Sequence, residues 1–219
     1  MDRKLQAFMA AERLINAVES SGIDLSNPER IIIDGYLYFP DYLSCEWGAS
    51  RIVVWDDQCD YVIKIAREEK YERYNQREVE IYADAVKEDI ADNFGWCACY
   101  SEPSTNEDGY VPGIYVMEFL DGSEEDVESD SWNYGYNTYC EENGLDKTSK
   151  DSENEYQEYA WDNENGIVME YLESQMCSPR DIAVFETFIN KWQITDLHVG
   201  NYLYRDNQLV ICDYAGWGW

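Results

Sequence analysis

Apolar residues near the start of the chain recur at helical spacing. Leu5, Phe8, Met9, Leu14, Ile15 and Val18 alternate with charges, so residues 2–20 predict an amphipathic helix. The turn formers of SSGIDLSNPER break it, with Pro28 suited to the first position of a short turn or helix. Between residues 31 and 66 the period shortens. IIIDGYLYF, SRIVVW and DYVIKIA are short β-branched and aromatic runs separated by turn chemistry such as WDDQ, and they predict strands. Residues 67–91 return to helical spacing, with Tyr74, Val79, Tyr82, Ala85 and Val86 sharing a face. WCACY and GIYVMEFL then predict a strand pair joined by a polar loop.

The pattern fades between residues 121 and 166. DGSEEDVESDSW and TSKDSENEYQEY are acidic and polar, and they predict a solvated insertion with one or two short helices. SPRDIAVFETFINKW, residues 178–192, is a better helix. Ser178 can cap it, Pro179 suits its first turn and Asp181 favours its N-terminus. NYLY and LVICDY predict a hairpin across RDNQ, and no internal repeat or interdomain linker is visible.

Composition narrows the class. Of 219 residues, 45% are hydrophobic and 15% aromatic, which supports a folded core rather than disorder. Asp and Glu number 46 against 16 Lys and Arg, a formal charge of −30. Such a surface repels DNA, RNA and anionic membrane and favours basic partners. Residues 102–175 hold 21 acids against Lys147 and Lys150, a net −19, so the middle of the chain carries most of the excess. No run approaches ~18 apolar residues, and charges interrupt the apolar part of the N-terminus, so neither a membrane span nor a signal peptide is expected. Seven Cys without a framework of close pairs read as reduced thiols and a cytoplasmic location, with Cys97 and Cys99 as strand thiols rather than metal ligands. The single His, at 198, excludes any two-histidine mechanism.

Candidate chemistry sits near the end of the chain. Asp196, His198 and Asn201 form D-L-H-V-G-N, and Asp213 follows the predicted hairpin in C-D-Y-A. Asn201 leads into one strand and Asp213 ends the next, so both can face one cleft, anchored by Leu203, Leu209, Val210 and Ile211.

This D-x-H-x-x-N followed by Asp resembles the catalytic loop and metal-binding segment of the protein-kinase-like fold, in the form used by aminoglycoside and other small-molecule kinases and by some bacteriophage kinases. Other positions follow in kinase order. Lys64 lies in D-Y-V-I-K-I, similar to the kinase strand whose Lys contacts phosphates. Glu78, in N-Q-R-E-V-E-I-Y, is similar to the helix Glu that pairs with that Lys, with Glu80 as the alternative. V-M-E-F-L resembles the strand entering the adenine-binding hinge, with Met117 before the hinge and Glu118 in it. The resemblance spans residues 44–213. In motif form it is similar to the compact early protein kinase of T7-type bacteriophages.

The resemblance implies an α+β, minimal bilobal kinase-like fold with a truncated C-lobe. Residues 1–30 would be an N-terminal helical segment, 31–117 the N-lobe, and 118–219 a reduced C-lobe carrying the acidic insertion 121–166. Its cofactors would be ATP and Mg²⁺. Lys64 would bind phosphates, oriented by Glu78; Asp196 would orient the acceptor hydroxyl; Asn201 and Asp213 would bind the metal. His198 would support the loop rather than transfer protons. Two departures stand out. Only Gly48 remains in L-S-C-E-W-G-A-S-R-I-V-V, where a phosphate cradle normally uses several glycines. Six residues follow Asp213, with no activation segment among them, so the peptide-substrate platform of ordinary kinases is expected to be missing.

Two readings follow. One is a compact phosphotransferase acting on Ser or Thr hydroxyls of host proteins in a host cytoplasm. The other is a catalytically weak kinase-fold protein that mimics nucleic acid and inhibits a basic host nuclease, polymerase, or restriction or defence factor.

Overall fold

A computed structural model describes residues 9, 32–33, 36–37, 44–55, 61–91, 99–100, 113–176 and 178–215. The expected N-terminal helix lies outside these residues apart from Met9, which is helical. The chain divides into two compact units. Unit 1 comprises Met1–Asp84 and Cys97–Phe119, and unit 2 comprises Ala85–Trp96 and Leu120–Trp219.

Unit 1 contains a small antiparallel pair, β1 (Ile32–Ile33) and β2 (Tyr36–Leu37). Its main feature is a five-stranded antiparallel sheet of β3 (Ser44–Trp47), β4 (Arg51–Trp55), β5 (Tyr61–Ala66), β6 (Cys99–Tyr100) and β7 (Ile114–Glu118). The strand order is β3-β4-β5-β7-β6. Helix α1 (Glu72–Lys87) follows β5 after a short 3₁₀ turn, Glu69–Tyr71. Alternation decides the faces. Ile52, Val54, Ile63, Ile65, Ile114 and Val116 form one almost fully buried set, each Ile contributing roughly 1.5–3 kcal/mol. The intervening positions carry Arg51, Lys64, Tyr115 and Met117, also buried. The registers Val53↔Lys64 and Lys64↔Tyr115 place Lys64 between its neighbours on that second face.

Beyond the end of α1, the described residues of unit 2 include α2 (Glu124–Asn143), α3 (Lys150–Ser174), α4 (Pro179–Trp192) and a hairpin of β8 (Tyr202–Arg205) and β9 (Gln208–Ile211). The cap expected of α4 forms: Ser178 Oγ accepts from the Asp181 amide at 3.3 Å, with Pro179 in the first turn. The hairpin turns through Asp206 and Asn207, both left-handed, at φ 49° and 66°. Short polar side chains tolerate that conformation in the tight turn that suits strand twist. Asp121 pairs with Tyr204 through two 2.9 Å backbone bonds, tying the approach to α2 to the hairpin.

Residues 121–166 correct one expectation. They form two long helices rather than short ones, each packing one stripe while its acids stay exposed. Ser123 opens α2 with a reciprocal cap, accepting from the Asp126 amide at 3.3 Å while Asp126 Oδ2 accepts from the Ser123 amide at 2.9 Å. Gly144, at φ 65°, closes it. Ser149 caps α3. The facing stripe of α2 is Val127, Ser131, Gly135 and Cys140, which are mostly small or polar residues. Tyr156 of α3, fully buried, fills the space they leave, and Trp132 stacks edge-on against its ring at 4.7 Å. Tyr136 and Tyr139 complete an aromatic cluster around it.

Candidate functional site

Lys64 projects from the third strand of the five-stranded sheet and is 6% exposed. Glu78, on the second turn of α1, is fully buried, and its Oε2 lies 3.3 Å from Lys64 Nζ. Glu80 instead accepts from Gln76 Nε2 on the exposed surface, so α1 presents Glu78 to the lysine. Asn75 fixes the helix one turn earlier by donating to the Gly113 carbonyl at 3.2 Å. A second cation, absent from the sequence expectations, joins the pair: Arg51 Nη1 lies 2.9 Å from Glu78 Oε1. The signal was available in β4. Arg51 shares the parity of Val53, which pairs with Lys64.

Gly48 lies in the exposed turn between β3 and β4. Its amide donates to the Arg51 carbonyl at 2.8 Å, and Arg67 Nη1 donates to the Gly48 and Ala49 carbonyls. The Gly48 N–H is therefore committed to the turn, and any phosphate contact here falls to its neighbours. Met117 is fully buried in β7 opposite Val62, and Glu118 ends the strand opposite Tyr61.

In unit 2, Asn201 organises the loop. Its amide donates to the His198 carbonyl at 2.9 Å, and its Nδ2 donates to the Asp196 carbonyl at 2.6 Å. Its own carbonyl accepts from the Cys212 amide at 2.8 Å. One buried residue thus joins Asp196 to the backbone immediately before Asp213. Asp213 is held between that bond and the buried Tyr214. His198 Nδ1 accepts from the Gly200 amide at 3.2 Å, and Nε2 lies 3.8 Å from Asp196 Oδ1. That commits one ring nitrogen to holding the turn Val199–Asn201. A side chain at Gly200 would press on His198 and on Glu124 at the start of α2.

Oxygen donors fit a hard divalent cation. With Nδ2 committed to Asp196, Asn201 has Oδ1 left to offer, and Asp213 adds a carboxylate. Mg²⁺ commonly takes one or two such protein ligands and completes its shell with water and phosphate. Among the described residues, no three His, Cys, Asp or Glu side chains group to hold a metal by themselves.

Two tyrosines shape the hairpin. Tyr204 donates to Asp130 Oδ2 at 2.7 Å, linking β8 to α2, and burial and that carboxylate push its phenol well above the usual range. Burial does the same to Tyr202. Both remain neutral and serve as packing and hydrogen-bonding groups. Between α2, α3 and α4 lies a groove of about 330 Å³ lined by Tyr134, Tyr139 and Tyr159 together with Glu142, Glu170 and Glu173. Its lining contains no basic residue. Burial, then Glu186 and Glu170, raise the Glu173 carboxyl above its ordinary value.

No family model and no curated protein matches the chain. Among solved structures it is similar to APH(2″)-IIa in a ternary complex with streptomycin and ATP, at 15% identity and a TM-score of 0.36, over 79% of this chain and 65% of that one. It is also similar to the aminoglycoside phosphotransferase APH(2″)-Ib bound to ADP, at 14% identity and a TM-score of 0.38, with the same coverages. A third likeness, to APH(2″)-IIia with GDP and kanamycin, has 10% identity and a TM-score of 0.39 over 90% of this chain and 72% of that one. The chain spans 65% of the length of the first two. Among the described residues, no helix is long and apolar enough to cross a membrane.

Proposed function

We propose that the protein is a compact, kinase-like phosphotransferase that uses ATP and Mg²⁺ to phosphorylate Ser or Thr hydroxyls of proteins, in the manner of phage kinases acting on host proteins in the host cytoplasm. The observation that carries this reading is Asn201. Its three hydrogen bonds draw Asp196 and the strand leading to Asp213 into one fixed group, as an acceptor-orienting Asp and a metal-binding pair require. The buried Lys64–Glu78 pair supports it independently.

In this reading Lys64 holds phosphate oxygens and Glu78 orients its ammonium. Asp196 accepts a hydrogen bond from the acceptor hydroxyl. That oxygen forms a bond to the γ-phosphorus as the bond to the β–γ bridging oxygen breaks, ADP leaves, and the hydroxyl proton passes to the Asp196 carboxylate. Asn201 Oδ1 and Asp213 would hold Mg²⁺, which supplies neutralising charge at the phosphates when bound. His198 keeps the loop in shape. Met117 and Glu118 lie on the strand that would lead to the adenine. Calorimetric titration with ATP and Mg²⁺ tests the reading. Binding should occur, weaken in Lys64→Ala and survive in Asp196→Ala, because Asp196 acts on the acceptor. No heat or thermal shift at millimolar ATP would overturn it.

A second reading rests on the groove between α2, α3 and α4. Acidic and aromatic, without a cation in its lining, it has the chemistry to receive Lys or Arg side chains of a basic nucleic-acid-binding protein. On this reading the acid surface imitates nucleic acid and inhibits such a partner, for instance a nuclease, polymerase or defence factor. Neutralising the groove's Glu142, Glu170 and Glu173 should then slow association and flatten its salt dependence, with Asp213→Asn leaving inhibition intact. An unchanged association rate would exclude it.

A further inference from the structure

The described face of the unit 1 sheet holds one more charged residue than a lysine–glutamate pair needs. Arg51, Glu78 and Lys64 are 5%, 0% and 6% exposed. Arg51 pairs with Ala66 and Val53 with Lys64, so Arg51 and Lys64 are diagonal neighbours on adjacent antiparallel strands. A carboxylate arriving from α1 reaches both. It divides its oxygens between them: Oε1 to Arg51 at 2.9 Å, Oε2 to Lys64 at 3.3 Å. The shorter contact belongs to arginine, whose planar cation is more weakly hydrated and better suited to a buried carboxylate.

Arg51 has a second anchor. Its Nη1 donates to Tyr115 Oη at 3.5 Å, and that hydroxyl donates to Met117 Sδ at 3.1 Å. The Tyr115 ring lies 5.9 Å from Lys64 Nζ. A continuous chain of contacts therefore runs from Glu78 through Arg51 and Tyr115 to the strand carrying Met117 and Glu118.

We infer that Arg51 is a positioning residue of the nucleotide site: it holds Glu78 through one oxygen so that the other orients Lys64 without sequestering it, leaving the ammonium for phosphate. This rests on the phosphotransferase reading and deepens it. With Arg51 removed, the Glu78 carboxylate loses its 2.9 Å cation and pulls harder on Lys64, so the ammonium is drawn from phosphate to carboxylate. The effect falls on the phosphates alone, because Arg51 acts through Lys64.

The test titrates the whole protein with ATP and Mg²⁺ and, separately, with adenosine. Arg51→Met should weaken ATP about tenfold or more while adenosine stays within about twofold, and Arg51→Lys should recover most of the loss. Arg51→Gln replaces Arg51→Met if the latter does not fold. Hydrogen exchange adds a second readout: α1 should stay protected in Arg51→Met, since Lys64 then holds Glu78, and a loss of protection there would show a merely structural arginine and overturn the inference. Parallel loss of ATP and adenosine would show a merely structural arginine and overturn the inference. So would an unchanged ATP affinity in Arg51→Met. If the parent protein binds adenosine and ATP equally weakly, or neither, the phosphotransferase reading itself fails, a result distinct from either.

Discussion

The two units fix their candidate residues by opposite means. Unit 1 buries charge: one carboxylate, fully inaccessible, serves Arg51 and Lys64. Unit 2 uses neutral bonds: Asn201 is tied to the Asp196 and His198 carbonyls and to the Cys212 amide. A buried ion is costly to leave behind when its partner is removed, whereas a lost neutral bond costs one desolvated group. Unit 1 therefore holds its lysine by a device that fails as a whole. Unit 2 shapes its loop through several short-range bonds that fail one at a time.

That contrast sets the order of expected effects. Glu78→Gln strips the shared carboxylate from two buried cations and should cost about 3–5 kcal/mol in urea unfolding. Gly135→Ala comes next. A Cβ there would sit 2.2 Å from Tyr156 Oη and 2.8 Å from Ile167 Cγ2, so about 1–3 kcal/mol should be lost as the α2–α3 packing opens. Asn201→Ala removes only the side-chain bond to Asp196, at about 1–2 kcal/mol, though phosphoryl transfer should fall far more than stability does. If Asn201→Ala destabilised the protein more than Glu78→Gln, the comparison would be reversed.

Two smaller effects sharpen the picture of the helix pair. Tyr156 Oη is buried with no hydrogen-bond partner, and burial pushes its phenol up to about 12. Tyr156→Phe should therefore be neutral or stabilise by up to about 1 kcal/mol. Glu173 gives the smallest effect. A carboxyl raised in the folded state opposes folding once ionised, and that loss is regained as pH falls through the folded value toward 4.5, its ordinary value. Glu173→Gln should raise Tm by about 1–2 °C at neutral pH and make no difference below the ordinary carboxylate range. A variant less stable at neutral pH would contradict the crowding of Glu173 by Glu170 and Glu186.

How much of this the sequence made legible follows the same division. In unit 1 the period of two was plain because Ile and Val fill one face of β4, β5 and β7, and Lys64 interrupts the run. The last hairpin and α4 were legible through turn and cap chemistry at Asp206, Asn207, Ser178 and Pro179. The helix pair was not. Its buried positions include Ser131, Gly135, Ser152 and Tyr156, which a hydrophobic pattern does not register and which interrupt the apolar ones, Val127, Ala160, Ile167, Val168 and Leu172, while acids dominate the exposed faces. Around Tyr156 burial is achieved by tyrosine rings over small residues, and aliphatic burial is confined to Val127 and to the later turns of α3, at Ile167, Val168 and Leu172. Arg51 was missed for a related reason: a charged residue at the head of a strand reads as an edge, and only register shows that it points where Lys64 does. Within D-x-H-x-x-N, resemblance to a kinase loop marked the residues, but not that Asn201 does the holding.

Incubation with γ-labelled ATP, Mg²⁺ and a basic acceptor protein tests the central claim most directly. The parent protein should transfer label to Ser or Thr, and Asp213→Asn and Asp196→Asn should each abolish transfer while remaining folded. Absence of transfer by the parent, or label undiminished in Asp213→Asn, would contradict the account.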